Sequence, residues 1–360
     1  MPNLCEVMFE QNIAKIKING DTSLLYTVEL INPLKNLIYY KFNTIANTQA
    51  ECIIDEYFIP WKIKIYVNNI LIEECNYDAN NKNIRINLDT AALGDNIAWI
   101  PYLEEFRKQH NCNLFAATGY NNLFETQYKN ISFVPFDSIG SNLYATYNIG
   151  LYYNNDEPDY SKHPSNFYKL PLQQVCSDIL GIEYKEIKPK IVETKKQVCI
   201  GTHSTAQMKY WNNENGWQTV IDWLTDKGYI VKVLSNEGQI RSCKLNNIVL
   251  HPNGDLEYVI KELRDSVAFV GLGSGLSWLS WAVGTQTIII DGYSGGNSYS
   301  KNCIHISPPS NKCQGCIQKY KFNTADWYFC PEHRNTDRQF ECTKSITADM
   351  VINKLKEIIQ

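Results

Sequence analysis

Four cysteines near the end of the chain have the spacing of a metal site. Cys313 and Cys316 form a Cys-x-x-Cys pair, and Cys330 and Cys342 follow after 13 and 11 intervening residues. One tight turn can present both thiolates of such a pair to an ion, and two more close a tetrahedron. Residues 319–327 and 334–341 between them are polar and aromatic, with too few aliphatic side chains for a core of their own. A structural metal is therefore expected to hold the finger shut. Two disulfides or four unrelated core thiols are the alternatives. Four thiolates suit zinc or iron, and spacing does not choose between them.

Other residues have the makings of an anion site and a base. Gly271-Leu-Gly273-Ser274-Gly275-Leu276-Ser277 falls between an expected strand and an expected helix. Small residues there let backbone N–H groups approach a diphosphate at a helix N-terminus, although a glycine turn is also ordinary packing punctuation. No Gly-Lys-Ser/Thr follows, so this is not a Walker loop. Ser204-Thr205-Ala-Gln207-Met-Lys209 follows another expected strand, where hydroxyls and an ammonium could hold phosphate and Lys209 could neutralise a leaving diphosphate. The plainer reading is a helix start capped by Ser204. Glu237, past a strand ending near Ser235, could accept from ribose hydroxyls. Asp95, in a Leu93-Gly94-Asp95-Asn96 turn, could serve as general base for an acceptor hydroxyl; otherwise it caps a helix beginning at Asn96.

The elements that must position these residues fall into three stretches. Residues 1–80 read as short strands with turns, such as Ala14-Lys-Ile-Lys-Ile18 before Asn19-Gly20, and suggest a small β-rich N-terminal domain. Residues 81–190 alternate strand, loop and helix: strands at 84–88, 113–117 and 131–134, and helical spacing at Ile97, Ile100, Leu103 and Phe106. A polar linker at 183–197 leads into residues 191–360, where the rhythm restarts and the finger at 313–342 is inserted before a last amphipathic helix. Alternation of this kind implies parallel sheets with helices on both faces. Two such halves place a cleft between them, a GT-B-like, two-Rossmann α/β architecture.

Composition narrows the function class. The 360 residues carry a net charge of −4, with a pI near 5.9, and no basic stripe marks a nucleic-acid partner. No apolar run reaches the ~18 residues that span a bilayer. The start, Met1-Pro2-Asn3-Leu4-Cys5-Glu6, lacks a signal peptide's basic and apolar regions. A reducing cytoplasm is the expected compartment, which favours metal over disulfide.

Together these motifs resemble the bacterial autotransporter heptosyltransferases, relatives of the lipopolysaccharide heptosyltransferases in the GT-B group. The matching elements are Leu93-Gly94-Asp95-Asn96, Gln207-Met-Lys209-Tyr-Trp-Asn212, Gly216-Trp217-Gln218, Gly271 through Leu279 with Trp281-Ala282, and the finger with its Cys330-Pro331 and Phe340-Glu-Cys342-Thr343. The likeness runs from about residue 80 to the end. It implies inverting transfer of heptose from ADP-heptose to serine hydroxyls on an autotransporter adhesin passenger domain. Asp95 would be the base, and Lys209 with Ser204, Thr205 and Gln207 would hold the diphosphate. Glu237 would meet the nucleoside, and Gly273, Ser274, Gly275, Leu276 and Ser277 would close over the phosphates. The resemblance implies iron on Cys313, Cys316, Cys330 and Cys342, where chemistry alone defaults to zinc, and a homo-oligomeric ring of twelve. The lipopolysaccharide branch has Asp-Thr-Gly-Leu-Ser-His where this chain has Gly273-Ser-Gly-Leu-Ser-Trp278, and it lacks the finger, so a protein acceptor is favoured. A lipopolysaccharide core heptosyltransferase and a non-catalytic nucleotide-sugar-binding scaffold are the competing readings.

Overall fold

The computed structural model describes residues 4–359 except 139, 141, 188, 190–193, 236–244, 246–248, 252–254, 297 and 324. The chain opens with seven strands: β1 (Cys5–Glu10), β2 (Ile13–Ile18), β3 (Leu25–Asn32), β4 (Leu37–Ile45), β5 (Gln49–Ile53), β6 (Lys62–Val67) and β7 (Ile70–Asn76). β2 shows why they form. Its Ala14, Ile16 and Ile18 are buried while the lysines between them keep contact with water, the period of a half-buried strand.

These strands divide between two sheets. β3, β4, β6 and β7 pair antiparallel in the order β4-β3-β6-β7. β1, β2 and β5 instead extend the sheet of the next segment, whose strands are β8 (Asn83–Leu88), β9 (Asn113–Ala117), β10 (Ile131–Phe133) and β11 (Leu143–Ile149). The order is β10-β9-β8-β11-β1-β2-β5. β1 runs parallel to β11 with Phe9 opposite Ala145, covering what would be an open edge. A sheet therefore crosses the boundary expected at residue 80. Helices α1 (Leu93–His110), α2 (Asn121–Phe124) and α3 (Leu172–Ile179) serve this half, with a hairpin of β12 (Tyr153–Asn154) and β13 (Glu157–Pro158). α1 is its central post. Ala98, Trp99, Leu103 and Phe106 are wholly buried, and the Trp99 indole donates to Leu172 O at 2.8 Å, tying α1 to the start of α3.

The second half is one all-parallel sheet. Its strands are β14 (Lys195–Ile200), β15 (Ile230–Leu234), β16 (Val249–His251), β17 (Ser266–Leu272), β18 (Gln286–Ile290) and β19 (Ile304–Ile306), in the order β16-β15-β14-β17-β18-β19. Val198, Ile200, Ala268, Val270, Ile288 and Ile290 are wholly buried, as a parallel sheet covered on both faces requires. Its helices are α4 (Gly216–Asp226), α5 (Leu256–Asp265), α6 (Gly275–Ala282), α7 (Glu341–Lys344) and α8 (Ala348–Ile358). Among the described residues, no helix is long and apolar enough to cross a membrane.

Candidate functional site

The loops that leave the C-terminal ends of the parallel strands meet, as open α/β sheets dispose their ligand sites. The loop after β8 leads into α1, the loop after β14 into the turn at Gln207–Lys209, and the loop after β17 into α6. The halves touch where two glycines face each other. A Cβ on Gly94 would lie 2.8 Å from Trp278 Cδ1 and 3.3 Å from Gly275 Cα, and one on Gly275 would lie 3.2 Å from Gly94 N. No side chain fits between them. The N-terminal ends of α1 and α6 are thereby brought together, and neither has a side-chain cap on its first amides. Two helix N-termini facing one space give it a positive potential.

α1 begins at Leu93, earlier than the apolar spacing from Ile97 suggested, because Ala92 is the residue that turns the chain into the helix. Asp95 therefore lies inside the first turn and is not the cap. Thr90 Oγ1 donates to Asp95 Oδ2 at 3.2 Å. The buried Asn96 amide pins the loop by donating to Thr90 O and Ala92 O at 3.1 and 2.9 Å. Burial raises the Asp95 carboxyl from its ordinary 3.8 to about 6, against the Thr90 hydroxyl and the Lys209 ammonium, which pull it down. Lys209 comes from the other half. Burial lowers its pKa, while the carboxylates of Asp95 and Asp291 draw it back up. Both side chains keep a little solvent contact while protein surrounds them, as at the floor of a cleft.

Ser204 and Gly273 are also brought together: Ser204 Oγ donates to Gly273 O at 3.1 Å. Thr205 Oγ1 accepts from Lys209 Nζ at 3.3 Å. Gly273 must be glycine, since a Cβ would fall 1.7 Å from the Tyr299 hydroxyl. Three other expected contacts are engaged within the protein. Ser277 is buried with its hydroxyl donating to Leu272 O at 2.5 Å. The Leu276 side chain packs beneath Gly201. The Gln207 amide donates to Asn212 Oδ1 at 2.5 Å and braces the turn. Glu237 lies outside the described residues.

Sequence reasoning missed the aromatic wall. Tyr153 stands beside Asp95, whose charge, after burial and Tyr168, helps push the phenol up to about 12. Tyr293 and Phe322 face Lys209, with ring centroids 5.5 and 4.8 Å from Nζ. The buried Tyr293 hydroxyl has no hydrogen-bond partner among the described residues. Tyr293 could have been found by position, because it follows Asp291 at the end of β18. Asp291 accepts from the backbone of Tyr293 and Ser294 at 3.0 and 2.9 Å and so sets that turn.

Cys313, Cys316, Cys330 and Cys342 all line one small cavity, with Met208, Tyr293 and His333. All described cysteines are free thiols. Among the described residues no three of His, Cys, Asp and Glu are arranged as around an ion. The donor set nonetheless fits a thiophilic metal. Each thiol is raised chiefly by burial where a shift is seen, to about 12 at Cys342; neighbouring thiols raise Cys316 and Cys342 further, while a hydrogen bond with Cys316 lowers Cys313. A bound cation reverses that penalty.

The glycosyltransferase family 9 (heptosyltransferase) profile matches residues 152–323. The autotransporter heptosyltransferase BAHTCr of Citrobacter rodentium is 32% identical over 82% of this chain and 76% of its own length. The autotransporter heptosyltransferase TibC of Escherichia coli is 33% identical over 83% of this chain and 78% of its own. A crystal structure of TibC, described as dodecameric, iron-containing and in complex with ADP-D-beta-D-heptose, superposes with a TM-score of 0.81 at 28% identity, over 99% of this chain and 96% of that one. The two halves thus have the GT-B-like arrangement. BimC of Burkholderia thailandensis, 27% identical over 84% of this chain and 75% of its own, is described as inactive. The chain belongs to the autotransporter heptosyltransferase family and is a heptosyltransferase enzyme.

Proposed function

We propose that this chain is an inverting glycosyltransferase that moves heptose from ADP-heptose to serine hydroxyls of an autotransporter adhesin passenger domain. The observation that carries the reading is that Asp95 and Lys209 come from opposite halves to within reach of each other's charge, both largely enclosed by protein. A carboxyl titrating near 6 is ionised at neutral pH yet basic enough to take a proton, which is the range a general base needs. The serine hydroxyl gives its proton to Asp95 as its oxygen bonds to the anomeric carbon. The bond from that carbon to the diphosphate breaks, and the electron pair leaves with ADP. Lys209 meets the developing charge, helped by Ser204, Thr205 and the amides at Gly273, Ser274 and Gly275.

In this reading Cys313, Cys316, Cys330 and Cys342 hold iron, as TibC's description indicates for that protein; zinc is the alternative. When bound, the metal cross-links a segment that has no aliphatic core. The chain is read as a homo-oligomer, a dodecameric ring on the TibC pattern.

Asp95→Asn tests the reading. ADP binding should stay nearly intact while transfer to an adhesin fragment slows by at least ~100-fold. Near-normal transfer would make another residue the base. If the native chain glycosylates lipopolysaccharide core and not the adhesin, the acceptor assignment falls and the donor chemistry stands.

A further inference from the structure

Lys209 is held by one near neighbour and by two rings far from it in sequence. Its Nζ stands 4.8 Å from the Phe322 ring centroid, 5.5 Å from that of Tyr293 and 3.3 Å from Thr205 Oγ1. The two rings touch, with centroids 5.6 Å apart and planes at 58°. Ring faces attract an ammonium through their quadrupoles. They add no negative charge, so they steady the cation without repelling a diphosphate. A carboxylate in their place would compete with the anion.

Phe322 belongs to the cysteine finger, and the finger with the residues just after it also carries the backbone beneath Lys209. Gln207 N donates to Trp327 O at 3.2 Å. Asn212 Nδ2 donates to Thr343 Oγ1 at 2.8 Å, and the Trp211 indole to Ile346 O at 2.8 Å. The turn that carries the lysine is thus held by Trp327, and its ammonium lies over Phe322. The preceding residue reaches the opposite wall. Lys321 Nζ donates to Asn155 O at 3.0 Å and lies 4.9 Å from the ring centroid of Tyr153.

We propose that Phe322 is a positioning residue of the transfer reaction, its ring face aiming the Lys209 ammonium at the departing diphosphate. The proposal rests on the role given to Lys209 above. In the full-length protein, Phe322→Leu keeps apolar bulk and removes the face. A cation–π contact of ordinary strength corresponds to about 3- to 30-fold in rate, so kcat should fall by about that much, with Phe322→Tyr restoring it. The decisive measurement is the same substitution in Lys209→Ala protein, where a residue acting through Lys209 has nothing left to lose. An equal loss in both backgrounds, or none in the first, overturns the clamp. Should Lys209→Ala itself transfer normally, the lysine's role falls instead, and the two failures are told apart. If Phe322→Leu folds poorly, ring-fluorinated phenylalanines at 322 keep the shape while weakening the face. Stepwise loss of kcat with fluorination supports the contact, and a flat series overturns it.

Discussion

Asp95 carries a cost in the folded protein that its function would explain. Its carboxyl is raised from 3.8 to about 6, so the folded state binds this proton more tightly than the unfolded chain does. The penalty is therefore full above about pH 6 and vanishes below about pH 4, where both states are protonated. Asp95→Asn should stabilise the protein at pH 7 by up to about 3 kcal/mol, since each pKa unit is worth about 1.4 kcal/mol. Melting curves at pH 7 and pH 4 check this: the gain should shrink to near zero at the lower pH, and a constant gain would assign it to packing. The same ionisation predicts that kcat/KM of the native enzyme declines as pH drops below about 6. Asp95 and Lys209 were legible in the sequence because both follow strand ends. Their depth was not, because neighbours such as Thr90, Tyr153 and Phe322 are brought in from three separate segments.

At the scale of elements, the contact of α1 with α6 explains two glycines that local rules would discourage. Gly94 sits in the first turn of a helix, where Ala would ordinarily stabilise by about 1 kcal/mol. Here its methyl would meet Trp278 at 2.8 Å and the Gly275 backbone at 3.3 Å. Gly94→Ala should therefore destabilise by about 1–3 kcal/mol and weaken ADP binding as the halves are wedged apart, read by thermal melting and calorimetry. Unchanged melting would mean that Trp278 swings aside freely. The alternating runs of β2 and β6 announced themselves by period, and β14 by its short apolar run. What stayed hidden was partnership: nothing local in Cys5–Glu10 says that it will pair with β11, some 140 residues on. Ser277 shows the same limit, since a hydroxyl in a glycine-rich turn reads as a ligand contact until the turn is seen to consume it.

Over the whole molecule, the two halves and the finger form one working unit, and two measurements address it. Calorimetry with ADP, UDP and GDP should show preference for ADP; preference for UDP removes the ADP-heptose assignment. Elemental analysis should find about one metal per chain, with a visible thiolate-to-iron band if it is iron. Cys313→Ser and Cys330→Ser should each lose it, and full occupancy in both variants would remove the four-cysteine site. The gathering of the four cysteines round one cavity was legible from their spacing. The finger's placement against Lys209 was not, because that depends on Phe322 and Trp327 meeting a turn more than a hundred residues earlier.

The finger is fastened unequally to the two walls. Toward the nucleotide side it is bound through Trp327, Thr343 and Phe322; toward the other it offers Lys321 on the Asn155 carbonyl, an exposed ion pair with Asp156, and the packing of Cys316–Gln318 on Phe167–Lys169. Mechanically it is a passenger of the second half. On the proposed function, a parting of the halves would break the Lys321 contacts before those of Phe322. The order of departure would then be glycosylated protein first, nucleotide last. In a steady-state study ADP should then inhibit competitively against the sugar donor and non-competitively against the adhesin.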